Sequence, residues 1–171
     1  IAESMTFEED GGRVVCDGAA RLWQGDTSIQ AGAIPLDDAA GDLAASGKVV
    51  TALLFGEAGA DGAAPKPTIG RAETFTYTHG ARRAVYETWA QLNGPEGDVT
   101  AGRIQVQLAA DANTVARLDA TTAVRVAVEG REARGTKMVY EPADARYQLT
   151  GAPVTLVEEC RETTGRTLTF F

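Results

Sequence analysis

The sequence of 171 residues has few of the side chains that most catalytic and metal sites use. It contains one histidine, His79, and two cysteines, Cys16 and Cys160. A histidine-based metal site or a Ser/His/Asp triad therefore has little support. No phosphate-binding P-loop, no GxGxxG fingerprint and no CxxC pair occurs in the chain. We therefore expect a protein that is not an enzyme and that binds no cofactor and no metal.

Basic runs and long apolar runs are absent as well. The chain has 24 acidic and 16 basic residues, a net charge of −8, so we expect no nucleic-acid partner. No apolar run approaches the ~18 residues that cross a bilayer. The chain begins at Ile1 without a visible signal peptide, and its last residues, 169–171, read as the middle of a strand. We expect a fragment of a longer protein.

The cysteine pair leaves two interpretations open. Cys16 and Cys160 form an even number, which permits a disulfide in an oxidising compartment. The simpler interpretation, which we favour, is two unpaired thiols that pack as small apolar side chains.

The most informative feature of the chain is an internal repeat. Residues 5–36 and 75–106 superimpose without a gap at an offset of 70 residues. Copied units of this kind bury their apolar faces against one another, which favours a stacked, quasi-one-dimensional architecture. The identical pairs are Thr6/Thr76, Arg13/Arg83, Val15/Val85, Ala20/Ala90, Leu22/Leu92, Ala31/Ala101, Gly32/Gly102 and Ile34/Ile104.

The local pattern predicts strands throughout. Apolar and polar residues alternate from Leu43 to Leu53 and again from Ile104 to Leu108, which is typical of half-buried β-strands. Gly, Asn, Asp and Pro cluster between such runs, at spacings of roughly 8–12 residues that suit an all-β fold. We expect one domain over 1–171. Its parts are copy one at 5–54, a loop at 56–70, copy two at 74–128 and a looser third copy at 133–171.

The repeated motifs resemble the OstA/LptA family of lipopolysaccharide-transport proteins. The order Ala-x-Leu, Gln-Gly-Asp, Ile-x-Ala-Gly-x-Ile-x-Leu and Leu-x-Ala-x-Gly-x-Val is the basis of the resemblance, which covers nearly the whole chain outside the loop. The sequence departs from the pattern at Pro35, at Pro95 and at Thr88, where copy one has Gly18. The matching residues are Ala20, Leu22, Gln24, Gly25, Asp26, Ile29, Ala31, Gly32, Ile34, Leu36, Leu43, Ala45, Gly47 and Val49.

The resemblance implies a fold, a ligand and partners. Members of the family form an open antiparallel β-jellyroll, shaped like a taco shell, whose apolar groove carries the acyl chains of lipid A. Copies join end to end by pairing of edge strands, including head-to-tail self-association, and build a bridge across the periplasm. The expected function is therefore a periplasmic lipid carrier of lipopolysaccharide export, with lipopolysaccharide and other jellyroll domains as partners.

Alternation also predicts which side chains point inward. An apolar slot between two sheet faces would hold acyl chains without a specific polar partner, although the same residues would equally fill a closed core. The predicted groove-lining residues are Phe7, Leu22, Ile29, Ile34, Leu36, Leu43, Val49, Tyr77, Tyr86, Leu92, Val99, Ile104, Val106, Leu118, Val124, Val126, Met138, Tyr140, Leu149, Val154 and Leu156.

A second class of function remains open at this point. A non-lipid β-repeat module that builds a scaffold or binds polysaccharide would have the same alternation. A polysaccharide binder needs aromatic residues that recur on one exposed face, whereas aromatics make up only 6% of this chain and four of the eleven are in the inward set. We therefore favour the lipid carrier.

Overall fold

A computed structural model describes the chain except for residues 1–3, 9–12, 25–26, 38–39, 55–65, 96, 111–113 and 160, and gives backbone alone for 4–8, 13, 14, 17, 24 and 37. Within that part, eleven strands pair in chain order into one antiparallel sheet. A short 3-10 helix, Pro142–Asp144, separates the ninth strand from the tenth. The strands are β1 Ser4–Glu8, β2 Arg13–Gln24, β3 Thr27–Asp37, β4 Asp42–Leu53, β5 Thr68–Thr78, β6 Arg83–Gly94, β7 Gly97–Leu108, β8 Val115–Val128, β9 Arg131–Glu141, β10 Arg146–Glu158 and β11 Arg161–Phe170.

The strand bounds follow the sequence repeat. β2 begins at Arg13, β6 begins 70 residues later at Arg83, and β10 begins at Arg146 in the looser third copy. The pairing of β2 with β3 recurs as β6 with β7 and as β10 with β11. The chain is therefore all-β, and the predicted open antiparallel fold is confirmed.

A line of β-bulges crosses the sheet at the middle of its strands. The register shifts at residues 17–20 between β2 and β3, at 87–90 between β6 and β7, and at 121–124 between β8 and β9. Bulges bend a strand and increase its twist. Because they are aligned, the sheet folds along one line, which we call the corner. The bulged pairs with positive φ are Gly18-Ala19, Gly47-Lys48, Thr88-Trp89 and Thr122-Ala123.

The corner divides every long strand between two walls that face each other. The first wall contains β1 at 4–8 and the strand segments 13–17, 34–37, 42–46, 74–78, 83–87, 103–108, 115–121, 137–141, 146–150 and 167–170. The second wall contains the segments 20–24, 27–31, 49–53, 68–72, 90–94, 97–101, 124–128, 131–135, 154–158 and 161–165. Each wall presents one row of inward side chains near the corner and another near its free rim, as the period of two in a strand requires.

The two rows near the corner differ in size. In the first wall the row consists mainly of large side chains, with two alanines among them, all at most 3% exposed: Ile34, Ala45, Phe75, Tyr86, Ile104, Ala120, Met138 and Leu149. In the second wall the row consists mainly of small side chains: Ala20, Ala31, Val49, Ala72, Ala90, Ala101, Val124 and Val154. Large residues on one wall therefore occupy the space that small residues leave on the other. Burying each large apolar side chain contributes ~1.5–3 kcal/mol, so this interior is the main source of stability.

One expected boundary is wrong. We expected a loop over 56–70, but β5 already begins at Thr68 and pairs with Leu53 of β4. Residues 68–70 are therefore strand, and most of the remaining segment lies outside the described residues. Within the described part, no helix is long and apolar enough to cross a membrane.

Candidate functional site

The interior between the walls contains a larger cavity toward the N-terminal strands. Its volume is about 570 Å³. Leu22 and Ile29 of the second wall and Leu43 and Tyr77 of the first wall face it from opposite sides. Its lining also includes Trp23, Thr27, Leu36, Gly41, Leu53, Leu54, Phe75, His79, Ala84 and Leu108.

A smaller cavity of about 340 Å³ lies toward the C-terminal strands. Leu92 and Val99 line it from the second wall, and Leu118 and Tyr140 line it from the first wall. The remaining lining is Thr68, Gly94, Pro95, Gly97, Val106, Thr114, Val115, Met138, Pro142, Ala145 and Tyr147. The two linings share no residue.

Neither cavity is lined by a charged carboxylate, ammonium or guanidinium group among the described residues. Apart from tyrosines, Thr51 is the one buried polar side chain in the described part of the chain, and no buried polar side-chain atom there lacks a hydrogen-bond partner. Recognition of an ionic ligand needs charged groups that these linings do not supply, and His79, the one imidazole in the sequence, meets the larger cavity from an exposed position. The interior offers two cavities with mainly apolar linings, and both volumes lie within the ~300–1,000 Å³ typical of small-molecule sites.

The predicted inward residues fall into two groups. Every one whose side chain is described is buried or packs against the buried core, whereas the side chain of Phe7 lies outside the described part. The cavity-lining members are Leu22, Ile29, Leu36, Leu43, Tyr77, Leu92, Val99, Val106, Leu118, Met138 and Tyr140. The members that line neither cavity are Ile34, Val49, Tyr86, Ile104, Val124, Val126, Leu149, Val154 and Leu156.

Sequence reasoning missed several lining residues that alternation would have found. Phe75 lies two residues before Tyr77, and Tyr147 two residues before Leu149, so each shares a face with a residue that was predicted. Leu108 stands in the same relation to Val106. Thr68 and Pro95 gave no comparable signal, because the first fell in a predicted loop and the second in a predicted turn.

A hydrogen bond joins the two walls at the middle of the molecule. The hydroxyl groups of Tyr86 and Thr51 are 2.8 Å apart, and both side chains are 0% exposed. Tyr86 belongs to the first wall and Thr51 to the second, so the ring crosses the interior. Burial raises the pKa of the Tyr86 phenol, and the hydrogen bond to Thr51 only partly opposes this shift.

Gly70 provides the space for this crossing. It follows Thr51 in the rim row of the second wall and pairs with it across β4 and β5. A Cβ atom on Gly70 would lie 2.5 Å from both Thr51 Oγ1 and Tyr86 Cε1. Phe75 packs against Tyr86 on the neighbouring strand, with ring centroids 4.8 Å apart.

An aromatic stack occupies the rim of the first wall at the C-terminal end. Tyr140 and Tyr147 lie 4.2 Å apart between centroids, and Tyr147 and Phe170 lie 5.0 Å apart with nearly parallel rings. The stack connects β9, β10 and β11 and closes one side of the smaller cavity. It places an aromatic side chain, Phe170, on the last strand of the sheet.

The fold, the apolar interior and the repeat agree with a comparison to known families. Over residues 1–171 the chain matches the family described as "LptA/(LptD N-terminal domain) LPS transport protein". The chain belongs to this lipopolysaccharide (LPS) transport family. The resemblance seen in the repeated motifs is thereby confirmed.

Solved structures give a weaker likeness, and among curated proteins none matches. Seventeen solved chains match. One of them is the crystal structure of LptH from Pseudomonas aeruginosa, described as the LptA-homologous periplasmic component of the LPS transport device. It shares 15% identity with a TM-score of 0.46, and the match covers 96% of this chain and 91% of that one.

The outer surface of this LPS transport domain is polar. Exposed ion pairs cross neighbouring strands, such as Arg103 with Glu87 at 2.7 Å and Arg131 with Glu158 at 2.9 Å. Such pairs add little stability in water. In the described residues no cluster of His, Cys, Asp and Glu is placed to hold a metal, and Cys16 is a free, half-buried thiol. The chemical contrast is between this charged outside and an uncharged interior.

Proposed function

We propose that this chain is a periplasmic carrier in LPS export that shields the acyl chains of lipid A in its interior. The observation that carries the proposal is the pair of apolar cavities without a charged lining residue. The transfer of acyl chains out of water lowers the free energy of the system, and the chains need no directional partner. The phosphate and sugar groups of the lipid stay in water beyond the rims. The proposal contains no catalytic step.

Its second part concerns partners. β11 pairs with β10 on one side only, and β1 pairs with β2 alone in the described part of the chain. A strand at the edge of a sheet presents unpaired N–H and C=O groups that another strand can complete. We propose that jellyroll domains of the export bridge, including further copies of this chain, add to these edges. Added domains would extend the same folded sheet and its interior.

Native mass spectrometry with purified lipid A tests the carrier proposal. Leu43 and Leu118 hold equivalent rim positions on β4 and β8, are each 9% exposed, and line the larger and the smaller cavity respectively. We expect a lipid A adduct with the unaltered chain. Leu43→Asp and Leu118→Asp should weaken it, because a buried carboxylate is costly in an apolar site.

The matched control is Thr76→Asp, which introduces the same carboxylate on an exposed position of β5 beside Tyr77. It should bind lipid A as the unaltered chain does. Circular dichroism checks that all variants are folded. A folded chain that forms no adduct would reject the carrier and favour a structural or interaction module.

A further inference from the structure

The Tyr86–Thr51 contact lies between the two cavities. Along the rim row of the second wall, each residue pairs with the next across neighbouring strands in the order Leu22, Ile29, Thr51, Gly70, Leu92, Val99. The first two residues line the larger cavity and the last two line the smaller one. Thr51 and Gly70 line neither, and they are the positions that Tyr86 covers.

The corner row of the first wall shows the same division, whereas in its rim row Ala84 of the larger cavity pairs with Val106 of the smaller one. Phe75 lines the larger cavity and packs against one side of Tyr86. Met138 lines the smaller cavity, and between it and Tyr86 lie the fully buried Ile104 and Ala120. A continuous apolar channel would require the rows of both walls to stay apart at this point. Instead, the side chain of Tyr86 spans the interior and is held by a hydrogen bond.

We propose that the interior holds two separate acyl-chain sites, and that the Tyr86–Thr51 contact is a septum between them. The inference rests on the carrier function proposed above and adds to it where the chains bind. An acyl chain fills one cavity up to the septum. It passes to the other cavity only when the hydroxyl of Tyr86 leaves Thr51 and the ring withdraws from Gly70.

An acyl chain is the occupant that the linings favour. Among the described residues neither lining contains a carboxylate, an ammonium or a guanidinium group, and the volumes of about 570 and 340 Å³ hold ligands of small-molecule size. The polar groups of the septum are two hydroxyls, and these are hydrogen-bonded to each other. A chain that separates them leaves buried hydroxyls without partners, which opposes passage.

Dodecanoic acid and its brominated form are suitable probes. Trp23 lines the larger cavity, whereas Trp89 is 85% exposed at the corner. Trp23 is itself 55% exposed, so in a Trp89→Phe background it reports on the larger cavity and its rim but not on the smaller cavity, because bromine quenches tryptophan fluorescence on contact. Native mass spectrometry counts the bound chains in the same sample.

Two separate sites predict a specific pattern for the cavity variants. Leu43→Asp should abolish quenching of Trp23 and retain one of the two bound chains. Leu118→Asp should leave quenching of Trp23 unchanged and also retain one chain. If both variants remove the same single chain, the interior is one continuous site and the septum is rejected. Leu43→Gln and Leu118→Gln repeat the test without a charge if either carboxylate prevents folding.

The dependence of affinity on chain length tests the septum directly. Each added methylene should tighten binding about fourfold until the chain reaches the septum, after which affinity stops rising. Tyr86→Leu, which copies Leu149 at the equivalent position of the third copy, should move this limit to longer chains. Tyr86→Phe retains the ring but removes the hydrogen bond to Thr51, so it should move the limit less than Tyr86→Leu does. An unchanged limit in Tyr86→Leu would overturn the proposal.

These outcomes separate the two proposals. A folded chain that binds neither lipid A nor dodecanoic acid rejects the carrier function. A chain that binds lipid A and one dodecanoate, lost equally in both cavity variants, supports the carrier function and rejects only the division of its interior.

Discussion

Copies one and two share a strand pattern but differ strongly at one interior position. Cys16 on β2 and Tyr86 on β6 correspond at the offset of 70 residues, and both follow the same strand start and precede the same bulge. Cys16 is a half-buried free thiol, whereas Tyr86 is fully buried and bonded to the opposite wall. The repeat therefore sets the strand pattern, and one side chain determines whether a hydrogen bond joins the two walls at this position.

The largest expected effect comes from removing that connection. Tyr86→Ala should lower the free energy of unfolding by ~3–5 kcal/mol, because it removes a large buried side chain and leaves a cavity. Cys16→Ala, the same truncation in copy one, should cost about 1 kcal/mol or less, as the thiol is small and only half buried. Urea unfolding followed by circular dichroism measures both. Equal losses in the two variants would show that the copies are energetically equivalent.

Gly70→Ala should have a smaller effect that depends on Tyr86. The new methyl group meets the ring of Tyr86 and the hydroxyl of Thr51, and overpacking of this kind costs ~1–3 kcal/mol. The equivalent position on β9 already holds Ala133, which lies opposite a wall with Leu149 instead of a tyrosine.

The control for Gly70→Ala is the double variant with Tyr86→Leu. Once the ring is gone, the alanine has room, so the two changes should couple by ~0.5–3 kcal/mol in a double-mutant cycle. Additive losses would mean that Gly70 is required for a reason other than the septum.

Much of the fold could be predicted from the sequence because its signals are local and repeated. Alternation places Ile104 and Val106 on one face, and the turn residues mark where each strand ends. The offset of 70 residues then transfers every such assignment to a second copy. The bulges limited this reasoning, since inward residues change phase at Gly32, from Ile29 and Ala31 to Ile34 and Leu36.

The proposed division of the interior could not be predicted from the sequence. Tyr86 and Thr51 are 35 residues apart, lie on opposite walls and sit in different sequence copies, so no periodicity connects them. Alternation assigned Tyr86 an inward direction correctly but gave no measure of how far its ring reaches. Likewise, nothing in the pattern separates Leu43, which lines a cavity, from Ile34, which packs in the core. Those distinctions depend on the distance between walls.

The smallest expected effect concerns the corner, where the copies also differ. Gly18 of copy one corresponds to Thr88 of copy two, and both have left-handed backbone, with φ of 77° and 64°. This conformation costs a side chain with a Cβ atom ~1–2 kcal/mol, while glycine loses ~0.5–1 kcal/mol more backbone entropy on folding. Thr88→Gly should therefore stabilise the chain by less than about 1 kcal/mol, and Gly18→Thr should destabilise it by a similar amount. Thermal unfolding of both variants measures the difference, and Thr76→Gly, at an exposed position of β5 without positive φ, is the control that should lose stability. If Thr88→Gly is also destabilising, the threonine contributes something at the corner that backbone geometry does not explain, and the two copies differ in more than their interiors.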